Sequence, residues 1–137
     1  MGKQAEEAVA KLMAERDETL RTLLDWKDED CHRKVTWYGR ETTVGHMFRN
    51  FTGHELDHFQ HLHRLMEARR QHLSEANLLF MKAQAVLAEF QVLALSLSDE
   101  EFDRPGPNEG DWSARQVVEH VIEQERFYRE TILSAVK

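Results

Sequence analysis

Both prolines of this 137-residue chain, Pro105 and Pro107, fall with two of its six glycines in one stretch, Arg104-Pro-Gly-Pro-Asn-Glu-Gly110. Proline removes a backbone donor and clashes with the preceding helical turn, and glycine loses the most freedom on ordering. Their scarcity elsewhere leaves long segments free to be helical. Four helices are predicted. The first runs from Gln4 to Leu24, with Val9, Leu12, Met13, Leu20, Leu23 and Leu24 at helical spacing. A connection from Asp25 to Glu41 carries Trp26, Trp37 and Tyr38. The second helix spans Thr43 to Arg70, and Val44, Met47, Phe48, Phe51, Leu62, Leu65 and Met66 mark its buried face. The third, Ser74 to Leu97, is the most apolar, with Leu78, Leu79, Phe80 and Met81 in succession. Ser113 and Gln116 form a capping box that starts the fourth helix, Ala114 to Ala135.

Four helices with two long connections predict an all-α, four-helix bundle forming a single domain over residues 1–137. Its two halves are alike, each a helix, a long connection and a helix. Aligning Thr43 with Ser113 sets Phe51 on Val121 and Glu55 on Glu125. The charged fraction of 31% and net charge of −7, without a basic stripe, argue against a nucleic-acid partner. No uninterrupted apolar run approaches a membrane span, so no membrane partner is expected. Cys31 is the sole cysteine; it excludes an internal disulfide and points to a reducing, cytoplasmic setting. The apolar excess on the third helix predicts a homodimer.

Residues 53–65 read GHELDHFQHLHRL, four histidines within ten positions. At 100° per residue, His58 falls near the middle of the second helix's apolar arc and His54 sits one turn back at its edge. An imidazole pair at i and i+4 can hold one metal ion from a single face, and a third ligand must then come from another element. His120, the only histidine on the fourth helix, flanks that helix's apolar face beside Val117, Val121 and Gln124. His32, His46, His61, His63 and His72 are read as hydrogen-bonded or solvated. Glu55 and Glu125 fall on the apolar arcs of their helices, where a lone carboxylate is costly. The bland role for them is pairing with Arg16 or another base; the functional one is support of a metal ligand or general base catalysis.

His54-Glu-Leu-Asp-His58 also fits the H-E-x-x-H motif of zinc hydrolases. No metzincin-type continuation follows, and a small bundle offers no sheet edge to a peptide substrate. A carboxylate-bridged di-iron site needs E-x-x-H on two helices. Glu55-x-x-His58 supplies one, but the other match, Glu29-x-x-His32, lies in the first connection.

The run Asp111-Trp-Ser-Ala-Arg-Gln-Val-Val-Glu-His120-Val resembles the signature of the DinB-like (DinB/YfiT) family, in which a tryptophan opens a helix bearing a metal-binding histidine eight residues on. Leu95-Ser-Leu-Ser-Asp-Glu-Glu-Phe-Asp-Arg-Pro-Gly-Pro107 is similar to that family's first connection. Gly39-Arg-Glu-Thr-Thr-Val-Gly-His-Met-Phe48 through Gly53-His-Glu-Leu-Asp-His58 resembles its last helix, which carries an H-x-x-x-H pair. The halves stand here in the reverse of the family's order.

The resemblance implies a four-helix bundle holding one divalent metal, zinc or nickel, through His54, His58 and His120. It implies a small-molecule substrate and a thiol-dependent transferase or isomerase activity with a low-molecular-weight thiol as cofactor. The alternative is a non-catalytic binding or interaction module. In the half-to-half alignment His54 falls on Gln124, His58 on Tyr128 and His120 on Asn50, so only one complete ligand set exists. Asn50, Gln124 and Tyr128 become candidates for the pocket wall around the metal, and Glu55 and Glu125 for catalytic roles.

Overall fold

The computed structural model describes residues 1–136, and the chain divides into two compact units, Met1–Val86 and Leu87–Lys137. Most of the chain is helical. In order come α1 (Lys3–Leu23), a 3₁₀ turn (Asp28–His32), β1 (Lys34–Trp37), β2 (Arg40–Thr43), α2 (Val44–Ala68), α3 (Glu75–Leu95), α4 (Asp99–Asp103) and α5 (Ala114–Ser134). The boundary between the units falls within α3, which is one continuous helix.

In the first unit, the segment expected as an irregular connection folds into the 3₁₀ turn and an antiparallel hairpin, with Lys34 opposite Thr43 and Trp37 opposite Arg40. Tyr38 (φ 49°) and Gly39 (φ 74°) form its two-residue loop. Left-handed backbone at both loop positions gives the twist that matches the strands, and only Gly39 adopts it without steric cost. β2 leads directly into α2, whose start is capped by Thr43 Oγ1 accepting from the His46 amide at 3.2 Å. Val44 and Gly45 are buried there, because the 3₁₀ turn lies against them: a Cβ built on Gly45 would sit 3.2 Å from the Cys31 carbonyl oxygen. Trp26 meets Phe48 edge-on at 6.4 Å, and the Arg16 guanidinium lies 5.7 Å from the Phe51 ring centre.

In the second unit, α4 opens with a reciprocal capping box between Ser98 and Glu101. The Ser98 amide, and after it the Ser98 hydroxyl, donate to the Glu101 carboxylate and hold it below its usual range. The chain then turns through the Pro-Gly segment, where the Gly106 amide donates to the Trp112 carbonyl at 3.2 Å. Ser113, buried, caps α5 through the expected box with Gln116. Arg115 of α5 pairs with Asp103 of α4 and covers the Phe102 ring at 5.1 Å.

The burial predicted for the helix faces differs from what the structure holds. Val44 is the only buried hydrophobic residue among those described, while Phe51, Leu62 and Leu65 of α2 are exposed. The elements packed most extensively on α2 are the 3₁₀ turn and β2, both short and both at its N-terminal end, so they cannot cover a 25-residue helix. On α3 most apolar residues are exposed, Leu78, Leu79 and Phe80 included, with Phe90 and Ala94 half-buried, and Leu93 is 71% exposed. By length and composition α3 could cross a membrane. A search for an uninterrupted apolar run misses this because Glu75, Lys82 and Glu89 punctuate it.

Candidate metal centre

α2 brings His54 and His58 together as the i, i+4 spacing requires. Their Nε2 atoms are 3.1 Å apart, and the ring centres 4.5 Å apart at 70°. At 3.1 Å two imidazole nitrogens either share one proton, one donating and the other accepting, or face a common cation. Two nitrogens on one zinc-like ion stand roughly 3 to 3.4 Å apart, given metal–nitrogen distances of about 2.0–2.1 Å. The pair therefore sits near ligand spacing with no change of rotamer. His61 follows, its ring centre 6.0 Å from that of His58.

Beside the pair an open groove of about 830 Å³ is lined by Trp37, Tyr38, Met47, Asn50, His54 and Glu55, among others. Asn50, expected in a pocket wall, is in that lining. The hairpin aromatics Trp37 and Tyr38 are groove residues that helical periodicity does not mark. The available signal was the Tyr38-Gly39 pair between two short β-prone runs, a hairpin loop that would carry Trp37 and Tyr38 toward the helix that follows.

Glu55 makes an ion pair with Arg16 of α1, the bland role anticipated for it. It is exposed rather than buried, as are His58 and Glu125, because no element of the unit packs over the middle turns of α2 or α5 in force. Arg16 also borders a smaller cavity of about 370 Å³, lined by Leu20, Leu23, Trp26, Cys31 and Phe48.

His120, Gln124, Glu125 and Tyr128 all stand on α5 in the second unit. The His120 ring meets Trp112 edge-on, with centres 5.0 Å apart. Gln124 is half-buried, whereas Tyr128 is exposed and lies 6.1 Å from Phe127. Among the described residues, no three His, Cys, Asp or Glu side chains are gathered as a metal-holding group. The donor set that α2 itself provides is two imidazoles, which fits a borderline divalent ion and calls for a further ligand.

Compared with protein-family models, with curated proteins and with solved structures, the chain matches none.

Proposed function

We propose that this chain is a divalent-metal-binding helical protein, with the ion held by His54 and His58 of α2 and by His120 of α5 in a four-helix arrangement of its two halves. The observation that carries the reading is the 3.1 Å convergence of the two Nε2 atoms on one helix face. Two further features support it. An open groove with Asn50 in its wall adjoins the pair. His120 is held against Trp112, so its ring orientation is restricted before any ligand arrives.

A divalent ion with three imidazole ligands keeps an open position and supplies Lewis acidity that favours the deprotonated form of a small thiol. Around it, this chain's own residues divide the remaining tasks. Trp37 and Tyr38 line the groove with apolar ring surface, and Asn50 offers an amide to orient a polar substrate group. Thiol-dependent group transfer is the reaction class this arrangement suits. The second reading, a non-catalytic metal-binding module, is favoured by Glu55: its carboxylate is engaged by Arg16 and serves as a counter-ion there instead of carrying protons.

Metal content of protein purified without an affinity tag tests the site. The wild-type chain is expected to hold one zinc or nickel ion, and His54→Ala, His58→Ala and His120→Ala are each expected to weaken binding at least tenfold, about 1.4 kcal/mol. Loss with the first two but not the third leaves a two-imidazole site on α2 and removes His120 from the ligand set. Unchanged metal in a His54→Ala/His58→Ala double variant overturns the reading. Cobalt-loaded protein titrated with small thiols separates the two roles, since a sulfur-to-metal charge-transfer band is expected only if a thiol reaches the ion.

A further inference from the structure

The polar residues of α3 obey a strict seven-residue period. Glu75, Lys82 and Glu89 form one stripe, and Asn77, Gln84 and Gln91 form a second one, about 160° away around the helix. The two stripes split the apolar surface into two faces. The broader one holds Leu79, Phe80, Val86, Leu87, Phe90 and Leu93. The narrower one is Leu78, Met81, Ala85, Ala88, Val92 and Leu95, alternating three and four residues apart, which is the a/d seam of a coiled coil. A helix that packs only into its own chain's core needs one apolar face. This one has two, and the narrow seam is open: Leu78 and Leu95 are each 52% exposed.

We infer that the narrow seam of α3 is a self-association surface, which pairs antiparallel with the same seam of a second copy of this chain. Charge complementarity selects the occupant and the direction. In an antiparallel pair, a-positions of one helix face d-positions of the other. Leu78 then meets Leu95, Met81 meets Val92, and Ala85 meets Ala88 at the centre, where the small side chains let the helices approach closely. In that register Lys82 of each copy falls opposite Glu89 of the other, giving two symmetric ion pairs flanking the seam. The flanking stripe of asparagine and glutamine lies on the far side and carries no charge. In a parallel pair the acids and the lysine face only amides, so no attraction fixes the register. Neither Lys82 nor Glu89 has an ion-pair partner among the described residues. The inference does not depend on metal binding.

The test uses charge reversal in the full-length chain, with sedimentation equilibrium as readout. The wild-type protein is expected to be a dimer. Lys82→Glu sets acid against acid at both contacts, and Glu89→Lys sets lysine against lysine at both. Each variant is therefore expected to dissociate roughly ten- to thirtyfold more readily. Mixing the two variants is expected to restore association as a heterodimer, since each copy then meets the opposite charge at both contacts. The double variant K82E/E89K is expected to dimerise like the wild type. Both substitutions sit on exposed helix positions, and a circular-dichroism check of helix content separates dissociation from unfolding. A monomeric wild-type protein overturns the proposal, and so does a mixture that associates no better than its components. A chain that is monomeric in solution but sediments with phosphatidylcholine vesicles overturns it in favour of a bilayer as the partner of α3.

Discussion

The starts of α2 and α5 are the best-packed points of their respective units, and they are built by different means. At α2 the buried pair is Val44 and Gly45, pressed by the backbone of Cys31, and the cap is one-sided, with Thr43 alone accepting an amide. At α5 the buried residue is Ser113, and its cap is reciprocal, with the Gln116 side chain returning a bond to the Ser113 amide at 2.9 Å. The approach differs as well. A hairpin with a left-handed loop delivers the chain to α2, while a proline-glycine turn delivers it to α5. Each start nevertheless sets a tryptophan against a histidine, Trp37 on His46 and Trp112 on His120. Close contact around one apolar turn organises the first unit, and hydrogen bonding organises the second. The two should therefore fail under different substitutions.

The largest contrast is expected at the glycines. A Cβ on Gly106 would lie 2.6 Å from the Asp111 Cβ, so the Asp111 side chain must move, yet its carboxylate holds the Asn108 amide at 2.8 Å. Gly106→Ala is expected to destabilise the second unit by about 1–3 kcal/mol. At Gly45 the nearest approach is 3.2 Å, and alanine recovers up to ~1 kcal/mol of helix propensity, so Gly45→Ala is expected to change the first unit by under about 1 kcal/mol. Amide hydrogen exchange read separately over α2 and α5 checks both. Equal effects at the two glycines would break the contrast.

A smaller difference is expected at the caps. Ser113→Ala removes a buried hydroxyl that accepts the Gln116 amide, and should cost about 1 kcal/mol. Thr43→Ala removes one bond at a part-buried site, with the hairpin still fixing the approach to α2, and should cost about half as much. Thermal unfolding followed by circular dichroism orders them. A threonine substitution costing more than the serine one would show that the one-sided cap carries more of the order than its geometry implies.

The α5 cap is legible in the sequence because it is local: Ser113 and Gln116 sit three residues apart, and the four expected helices begin and end within two residues of where periodicity sets them. The His54/His58 convergence was legible for the same reason, since one helix face fixes it. The hairpin between Lys34 and Thr43 was not read, because four-residue strands give too few alternations to stand out from a connection. The α4 turn carries the same capping signal, Ser98 with Glu101, as Ser113 with Gln116, but its five residues are too few for a helical period to show. Burial is less than the wheel implies. A wheel shows which residues share a face of α2 or α3, but what covers that face depends on partners that periodicity does not name. Phe51, Leu62 and Leu93 are the outcome.

The smallest effect is expected from acid, and it too should separate the units. In the second unit the Arg115 guanidinium hydrogen-bonds the Asp103 carboxylate, chiefly through that bond holding it below the usual carboxylate range, with the charge of Arg115 acting in the same direction. Asp103 in turn raises Arg115, which stays charged throughout the accessible range. A carboxyl whose folded value is depressed contributes stability above its unfolded value, near 3.8, and loses it as pH falls through the folded value. Both partners are solvent-exposed, so the contribution is screened and modest. Between neutral pH and about 5, the clasp of α4 on α5 should hold; below about 4, amide exchange over α4 should quicken. Asp103→Asn should show quickened exchange already at neutral pH and a smaller further change across that window, the remainder coming from the Glu101 carboxylate in the α4 cap. Added salt should mimic part of the acid effect in the wild type and less of it in the variant, where the Glu100–Arg104 pair remains. The α2 start has no carboxylate in its own cap, and the 3₁₀ turn beside it holds the hydrogen-bonded Asp30 carboxylate, so its exchange should follow a different course through the same titration. Exchange over α2 that followed the same pH course would mean that the clasp and the first unit unfold together.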